Sequence, residues 1–293
     1  MSVQASTVGS PGYRLRQTWA AGAVALPGVF NALVARMAEQ MGFQAAYLSG
    51  GALSAAAGVP DIGLLSVTEF VEQARSIVQA TSLPLLCDAD TGFGEALNVE
   101  RTVHLFEAAG AAGIHLEDQQ LPKRCGHLSG KQLVEPEVMA AKIRAAVAGR
   151  QDKDFIVMAR TDARIVNGFD DAVRRAFVYL DAGADAIFPE ALETEEEFQE
   201  FARAVNAPLL ANMTEFGRSP NLDVATLSKF GYRMVLFPLT ALRAALFAAR
   251  DTLSQLREKG HQRDLLAHML TRKELYDLLG YTGYEARDRA YFG

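Results

Sequence analysis

The eleven residues EDQQLPKRCGH, at positions 117–127, combine two acids, two cations, a cysteine and a histidine. They directly follow the apolar run GIHL at positions 113–116, which is typical of a β-strand. Lys123 and Arg124 precede Cys125, and positive charge beside a cysteine favours its thiolate. The pattern is typical of either a solvated charged loop with an unrelated cysteine or a catalytic loop that follows a strand.

A second polar stretch, DADTGFG at positions 88–94, has two carboxylates two residues apart after an apolar run. Asp88 and Asp90, together with Glu117, offer hard oxygen donors that suit Mg²⁺ or Mn²⁺. An aspartate that caps the next helix would explain one of the pair, but not the whole group. Zinc is disfavoured, because the five histidines show no ligand spacing.

Composition excludes several classes of function. Of the 293 residues, 49% are hydrophobic and 22% are charged, which supports a large core. The net charge of −6 argues against nucleic acid or an anionic membrane surface as a partner. No apolar stretch is long enough to span a bilayer, and the first residues lack the pattern of a secretory signal. The two cysteines fit a reducing compartment, so we predict a cytoplasmic protein.

Short apolar segments alternate with amphipathic stretches along the chain. Eight segments are predicted strands: Ala23–Leu26, Ala45–Ser49, Pro84–Asp88, Gly113–Glu117, Phe155–Arg160, Ala186–Pro189, Pro208–Asn212 and Met234–Phe237. Strands that are apolar throughout are typical of parallel sheets buried on both faces. Eight of them alternating with helices predict an α/β fold, a (β/α)8 TIM barrel. The doubly wound alternative needs a glycine-rich first crossover, and GFGEALN at 92–98 matches that poorly.

The domain prediction is a single barrel over residues 1–293 that begins with a flexible lead over residues 1–19. No linker rich in proline, serine or glycine divides the chain. Two helical patterns, Leu239–Lys259 and Asp264–Leu279, follow the last predicted strand, one more than a barrel needs. Residues 239–293 are therefore predicted to form C-terminal helices, the last of which packs on a neighbouring subunit.

Polar or charged residues follow nearly every predicted strand, at the end where barrel enzymes have their active sites. They are Tyr47, Ser49, Gly50, Gly51, Asp88, Asp90, Glu117, Asp118, Arg160, Asp162, Glu190, Asn212 and Thr214. A purely structural barrel has no need of such groups, so they predict an active site. Arg160 lies in the apolar run IVMARTD, where exposure is hardest to justify, and is the best candidate to bind a carboxylate. Arg243 and Arg272 are either ligands or surface residues.

Several motifs resemble the isocitrate lyase / phosphoenolpyruvate mutase superfamily, in the same order, over about residues 20–280. They are SGG (49–51), PDIG (60–63), DADTGFG, EDQQLPKRCGH, ARTDA (159–163), FPEA (188–191) and NMTEFG (212–217). KRCGH is the most specific, because the mutases and oxaloacetate-acting members lack this cysteine. Isocitrate lyases have a related motif in much longer chains. Within the superfamily the chain resembles the enzymes that act on 2-methylisocitrate.

This resemblance implies a Mg²⁺-dependent carbon–carbon lyase that cleaves 2-methylisocitrate to pyruvate and succinate, in the methylcitrate cycle of propionate catabolism. The alternatives are a lyase acting on isocitrate or a 2,3-dialkylmalate, and an oxaloacetate-acting member. A barrel that only binds metabolites is a third alternative, from a different class. The resemblance also implies a homotetramer, a dimer of dimers, in which the eighth helix is exchanged between subunits.

The resemblance further implies the roles of individual residues. Mg²⁺ is held by Asp88, with Asp61, Asp90 and Glu117 contributing largely through water. The residues implied around the tricarboxylate substrate are Ser49, Gly50, Gly51, Gly126, Arg160, Glu190, Asn212, Thr214, Arg243 and Arg272. The residues implied in catalysis are Cys125 as proton donor to the succinate carbanion and Lys123, Arg124 and His127 as groups that lower its pKa. Arg160 is the group that neutralises carboxylate charge, and Tyr47 is the candidate base. Leu128 stands where many bacterial relatives have arginine, so no loop-anchoring role is carried over there.

Two further predictions concern the loop and the substrate's methyl group. The loop from about Gln119 to Lys131 contains Gly126 and Gly130, is rich in charge and has few apolar side chains, which predicts a mobile lid. Closure over the substrate would keep water from the carbanion. Phe188 and Leu236, near the ends of the sixth and eighth predicted strands, are predicted to form an apolar wall for the methyl group.

Overall fold

The computed structural model of the chain describes residues 9–292. The chain consists of two compact units, Met1–Thr240 and Ala241–Gly293. All the strands of the described residues lie in the first unit, and the described residues of the second unit form only helices. None of the helices within residues 9–292 has the length and apolar character needed to cross a membrane.

The first unit is a closed barrel of eight parallel strands. The strands are β1 (Val24–Pro27), β2 (Ala46–Leu48), β3 (Leu85–Asp88), β4 (Gly113–Glu117), β5 (Ile156–Thr161), β6 (Ala186–Pro189), β7 (Leu210–Asn212) and β8 (Met234–Phe237). β2 to β6 pair in chain order, and β8 pairs with both β1 and β7. The bridges Gly28–Tyr47 and Ile187–Leu209 join these two sheets at both edges. The predicted (β/α)8 barrel is confirmed.

Helices connect successive strands and continue into the second unit. They are α1 (Pro11–Ala21), α2 (Ala32–Gln40), α3 (Gly50–Ala56), α4 (Val67–Ala80), α5 (Ala96–Ala108), α6 (Pro136–Gly149), α7 (Ala163–Val166), α8 (Phe169–Asp181), α9 (Glu195–Ala204), α10 (Val224–Phe230), α11 (Thr240–Lys259), α12 (Arg272–Leu279) and α13 (Tyr281–Tyr291). Their starts follow from capping residues. In α4, for example, Ser66 and Glu69 form a capping box that satisfies otherwise unpaired backbone N–H groups.

Alternate residues of the strands face two different hydrophobic clusters. One cluster fills the barrel interior and includes Leu86, Met158 and Met234. The other lies between the strands and the surrounding helices and includes Cys87, Val157 and Val235. Because successive side chains of a strand point to opposite faces, burial on both faces explains why the strand sequences are apolar throughout.

Helix α1 corrects the prediction of a flexible lead over residues 1–19; residues 1–8 lie outside the described part. Ser10 caps the helix, and Leu15 and Trp19 belong to the cluster inside the barrel. Gly12 lies against the backbone of Asp154, whose carbonyl oxygen would be only 2.2 Å from a Cβ at position 12. The helix therefore closes the end of the barrel opposite the strand carboxyl ends. The polar residues at the start of the helix gave no sign of this role in the sequence.

The second unit differs from the predicted helix over Asp264–Leu279. A 3₁₀ helix spans Arg263–His268, and α12 begins afresh at Arg272 because Thr271 and Glu274 form a new capping box. Helix α13 lies within the predicted helical range 239–293 but beyond the two helical patterns recognised there. Of the apolar residues between α11 and α12, Leu265 is buried, whereas Leu266 is 60% exposed and Met269 is 41% exposed.

Candidate active site

A pocket lies at the carboxyl ends of the barrel strands. The space between its walls is about 480 Å³ when the solvent at its open mouth is included. The residues that line it are Tyr47, Ser49, Gly51, Asp61, Asp88, Lys123, Arg124, Cys125, Gly126, His127, Arg160, Phe188, Glu190, Asn212, Thr214, Leu236, Pro238 and Leu239. The pocket thus brings together most of the site residues that the sequence predicted, from six strand ends and the loop after β4.

Some predicted site residues lie outside the pocket lining. Gly50 is buried behind it, and its N–H donates to Asp88 Oδ2 at 3.1 Å. Asp90 and Glu117 are also buried, with 4% and 2% of their surface exposed. Arg243 and Arg272 belong to the second unit, so their contact with substrate stays a prediction.

The predicted metal carboxylates suit a hard cation. Asp88, Asp90 and Glu117 are buried, and Glu117 Oε1 has no hydrogen-bond partner within the described residues. Burial and the neighbouring Asp88 raise the pKa of Asp90 to about 7, and burial raises the pKa of Glu117 well above its usual value. Such crowded acids are stabilised by added positive charge. In the part of the chain described here, no three His, Cys, Asp or Glu side chains are arranged to bind a metal ion directly.

Lys123 supplies that positive charge in this structure. Its Nζ lies 2.7 Å from Asp90 Oδ1 and also pairs with Asp61, and the residue is only 2% exposed. Burial by itself would lower the pKa of Lys123, but Glu117 and the surrounding aspartates outweigh it and raise the pKa. The lysine is therefore a cation held by the acids rather than a group that acts on Cys125.

Cys125 has a different environment from the one that the sequence predicted. The residue is solvent-exposed, but its thiol belongs to the pocket wall, and this loss of water raises its pKa. A hydrogen bond from the backbone of His127 and the charge of Arg160 offset only part of that increase. Lys123 is paired with acids, and Arg124 donates to the Ser129 carbonyl oxygen at 3.2 Å. Lys123 therefore does not lower the pKa of Cys125 as predicted, His127 lowers it only through its backbone, and the thiol is the populated form.

Arg160 lies at the centre of a group of carboxylates. It donates to Asp162 at 3.0 and 3.1 Å, and its guanidinium lies 3.5 Å from Glu117 and 3.8 Å from Glu190. Burial alone would lower its pKa, but these acids raise it well above its usual value. Arg160 also stacks over the Phe188 ring, 5.1 Å from the centroid. It is thus a fixed, permanently charged group in the pocket wall.

His127 ties the loop to two other elements. Its Nε2 lies 2.8 Å from Glu190 Oε1, and its Nδ1 accepts a hydrogen bond from the backbone N–H of Arg218 at 2.9 Å. Burial would raise the pKa of Glu190, but Arg160 and His127 bring it down to about 2. Asn212 Nδ2 donates to Glu190 at 3.2 Å, while its Oδ1 has no partner within residues 9–292. That oxygen is available to a hydrogen-bond donor of a ligand.

Tyr47 is buried and its hydroxyl lies 2.5 Å from His115 Nε2. Burial and the charge of Asp88 raise the pKa of Tyr47 well above its usual value, so the neutral phenol is the populated form. This disfavours the role of general base that the sequence suggested for Tyr47. Burial lowers the pKa of His115 to about 4, so its ring is neutral and serves to hold the phenol.

The loop lies closed over the pocket. Gly126 approaches Arg160 and Glu190 so closely that a Cβ there would be 2.4 Å from atoms of both side chains. The side chain of Gln119 bonds to the backbone of Arg124 through two contacts of 2.9 Å. Polar contacts therefore hold the loop despite its few apolar side chains, and its mobility stays a prediction.

Comparison with known proteins agrees with this geometry. A family model described as phosphoenolpyruvate phosphomutase matches residues 15–257. The chain belongs to this family. The resemblance to the isocitrate lyase / phosphoenolpyruvate mutase superfamily is thereby confirmed.

Three relatives define the chain's neighbourhood in the phosphoenolpyruvate phosphomutase family. A 2-methylisocitrate lyase from Aeropyrum pernix is 54% identical over 265 residues, 90% of this chain and 85% of that protein. The crystal structure of a 2,3-dimethylmalate lyase is 33% identical, has a TM-score of 0.92 and is matched over 98% of this chain and 97% of its own. A phosphonopyruvate hydrolase in complex with oxalate and Mg²⁺ is 35% identical, with a TM-score of 0.89 over 97% of this chain and 100% of its own.

One buried network of this family member was missed from the sequence. Asp118 accepts hydrogen bonds from Thr161 at 2.8 Å, Tyr179 at 2.7 Å and Arg175 at 3.2 Å. These contacts join the end of β4 to β5 and α8 behind the pocket. Asp118 stood out as a strand-end acid, but its partners lie 43 to 61 residues away along the chain, and no local signal pairs them.

The raised pKa of Cys125 leads to a prediction about its reactivity. Iodoacetamide reacts with thiolate, so alkylation of Cys125 should be slower than that of free cysteine at neutral pH. The rate should increase as the pH rises through the raised pKa, above the usual value of about 8.5. Mass spectrometry of the labelled peptide measures this rate, and fully buried Cys87 provides an internal control. Alkylation at neutral pH faster than that of free cysteine would contradict the prediction.

Proposed function

We propose that the protein is a 2-methylisocitrate lyase that requires Mg²⁺ and releases pyruvate and succinate. The observation that carries this proposal is the thiol of Cys125 in the same pocket wall as Asp88 and Arg160. A protonated thiol, a cation-binding acid and a fixed arginine are the groups that cleavage of a hydroxy-tricarboxylate needs. The relative from Aeropyrum pernix, named for this activity, supports the choice of substrate.

A divalent cation is needed to bind such a substrate in this pocket. The substrate has three carboxylates, whereas Asp61, Asp88 and Glu190 already give the pocket wall negative charge. Asp88 would hold the cation, with Asp61, Asp90 and Glu117 around it, and Mn²⁺ would serve as well as Mg²⁺. When bound, the cation supplies Lewis-acid stabilisation of charge on the substrate's oxygens. The Mg²⁺ complex of the related phosphonopyruvate hydrolase supports this assignment.

The protein's own residues bind the rest of the substrate. Arg160 neutralises carboxylate charge, and its fixed pairing with Asp162 means that little reorganisation is needed. Ser49, Asn212 and Thr214 offer hydroxyl and amide groups in the pocket lining for the remaining carboxylate oxygens. Gly50, Gly51, Gly126 and Glu190 are proposed to contact the same ligand, and Arg243 and Arg272 are proposed as further ligands from the resemblance alone.

Bond cleavage then follows from the placement of the thiol. The C2 hydroxyl passes its proton to a carboxylate of the pocket wall, the C2–C3 bond breaks so that C2 becomes the pyruvate carbonyl, and the electron pair of that bond passes to C3 of the departing succinate. Cys125, protonated at neutral pH, donates its proton to that carbanion and is left as a thiolate. Once the products leave, the carboxylate releases its proton and the thiolate takes up a proton from water. His127 holds the loop segment to Glu190 so that the thiol stays at the pocket. The neutral phenol of Tyr47 is better suited to donate a hydrogen bond than to act as the base.

A product assay with a substrate panel tests the proposed function. Purified protein with Mg²⁺ should release pyruvate and succinate from 2-methylisocitrate, detected by lactate dehydrogenase coupling and by mass spectrometry. The panel includes isocitrate, 2,3-dimethylmalate and oxaloacetate, because solved relatives act on the last two. Higher kcat/KM on either of those two, or no turnover of the panel, would overturn the proposal.

Selectivity for the methyl group should come from Phe188 and Leu236, which are both 1% exposed and line the pocket. The methyl group of 2-methylisocitrate lies on the carbon that becomes the pyruvate carbonyl, and isocitrate lacks it. One methylene in an apolar pocket is worth about 1–3 kcal/mol, so kcat/KM should favour 2-methylisocitrate by roughly 10–200-fold. Equal kcat/KM for pyruvate release from 2-methylisocitrate and glyoxylate release from isocitrate would contradict the predicted apolar wall.

The second unit supports a homo-oligomer. Its described residues expose many large apolar side chains, including Phe247, Leu253, Leu270 and Phe292, at 56% to 86% of their surface. Exposed apolar area of this extent marks contact surfaces between proteins. We expect a tetramer, a dimer of dimers, with a C-terminal helix exchanged between subunits. Light scattering measures the mass, and a stable monomer at micromolar concentration would contradict the exchange.

The cellular setting of this activity is the last part of the proposal. Pyruvate and succinate both enter central metabolism, which is consistent with a role in propionate catabolism through the methylcitrate cycle. A cytoplasmic location is proposed from the two unpaired cysteines, which suit a reducing compartment.

A further inference from the structure

Lys131, at the end of the loop that carries Cys125, is buried with its charge inside the protein. Its side chain is 0% exposed, and so is that of its partner Asp162. Lys131 Nζ lies 2.6 Å from Asp162 Oδ1 and also donates to the carbonyl oxygen of Gly126. One ammonium group therefore joins the residue next to Cys125 to the end of the barrel strand β5.

The same carboxylate fixes Arg160. Asp162 Oδ1 accepts hydrogen bonds from Lys131 Nζ and, at 3.1 Å, from Arg160 Nη2. Asp162 Oδ2 accepts a hydrogen bond from Arg160 Nε at 3.0 Å. The backbone N–H of Asp162 donates a hydrogen bond to Asp118 Oδ1 at 2.9 Å, and this bond holds the backbone of Asp162 in place. The loop segment and the substrate-binding arginine are thus aligned on one rigid acid.

Burial makes this contact energetically important. An ammonium group without its partner is costly to bury, so Lys131 stays inside only while the loop is closed on Asp162. Opening the loop would return Lys131 to water, but Asp162 would still be paired with Arg160. Lys123 also ties the loop down, but through Asp61 and Asp90, which belong to the acids proposed for the cation. The Lys131 contact does not compete with that cation.

We propose that Lys131 is a positioning residue that holds the Cys125 segment closed over the pocket and aligns it with Arg160 through Asp162. This inference rests on the proposed function for its effect on turnover. Its effect on the loop is independent of any reaction, so the two are tested separately.

The first test measures loop closure without a substrate. Endoproteinase Arg-C cuts after Arg124, which is exposed but protected while the loop is held in place. We expect Lys131→Met to be cut there at least fivefold faster than the wild type, with the peptide identified by mass spectrometry. Lys153→Met, the same change at an exposed lysine, should be cut at the wild-type rate. Equal cleavage of Lys131→Met and wild type would overturn the proposal.

The second test separates kcat from KM with 2-methylisocitrate. We expect Lys131→Met to lower kcat at least tenfold with KM within threefold, because Arg160 keeps its partner while the thiol is misplaced. Lys131→Gln retains a donor for the Gly126 carbonyl and should recover part of kcat. If circular dichroism shows that Lys131→Met is unfolded, Lys131→Gln replaces it in both tests. Unchanged kcat in a variant that is cut faster would overturn the positioning of Cys125. If the wild type itself releases no pyruvate, the proposed function fails, and faster cleavage of Lys131→Met still supports the loop contact.

Discussion

Replacement of Cys125 by serine is expected to lower the turnover of 2-methylisocitrate by about 10²–10⁴-fold, the usual contribution of a general acid. The hydroxyl is close in size to the thiol, so the loop should still close over the pocket. Its pKa is far too high, however, for it to give a proton to the carbanion and recover it in the same cycle. The effect should therefore fall on kcat rather than on KM or on the fold.

The control for this substitution is the chain's other cysteine. Cys87 is completely buried in the cluster between the barrel and its helices, so Cys87→Ala should keep its kcat even if the protein unfolds at a lower temperature. Steady-state kinetics of both variants, with circular dichroism as a check on folding, gives the comparison. A Cys125→Ser enzyme within threefold of wild-type kcat would remove Cys125 from the mechanism.

The barrel and its pocket were predictable because their signals are local. Strands such as β4 and β5 are mostly apolar and buried along their whole length, and the charged residue near the end of each, Glu117 or Arg160, marks the edge where the active site lies. The position of a residue along the strand determines whether its side chain faces the barrel interior or the surrounding helices. Both features follow from residues close together in the sequence, without any long-range contact.

The charge environment of Cys125 was not predictable in the same way. Lys123 and Arg124 are neighbours of Cys125 along the chain, and that proximity suggested a lowered pKa. In the fold, the Lys123 ammonium turns to Asp61 and Asp90, which are 62 and 33 residues away in sequence numbering, and Arg124 turns back to Ser129. The pKa of a group depends on the distances between charges in space, which the order of residues does not give.

The roles of Lys131 and of helix α1 were missed for a related reason. Lys131 looked like an exposed end of a charged loop, since lysines are almost never buried without a partner, and its partner Asp162 lies 31 residues away, just after β5. Helix α1 begins after a polar segment. Leu15 and Trp19 are core residues only because the helix packs against the end of the barrel. In both cases the burial of the residue comes from the closed barrel and not from its neighbours in the chain.

Replacement of Asp88 by alanine is expected to abolish metal-dependent turnover, with kcat/KM lower by roughly a thousandfold or more. The Lewis acid contributes several kcal/mol, and each step of about 1.4 kcal/mol is a factor of ten. Asp88 also accepts hydrogen bonds from the backbone N–H groups of Gly50 and Asp90, so its loss removes support from the backbone at both residues as well. The matched control is Asp181→Ala, which removes an exposed acid at the end of α8 and should leave turnover unchanged.

Metal binding distinguishes this explanation from simple misfolding. Calorimetric titration with Mn²⁺ should give a site in the wild type and in Asp181→Ala that is absent or much weaker in Asp88→Ala, while circular dichroism of all three proteins agrees. Exhaustive chelation of the wild type should stop pyruvate release, and added Mg²⁺ should restore it. In Asp88→Ala, Lys123 keeps its contacts with Asp61 and Asp90, so the loop should remain closed over a pocket that no longer holds the cation. Undiminished turnover after chelation would contradict the requirement for metal, whatever the effect of the substitution.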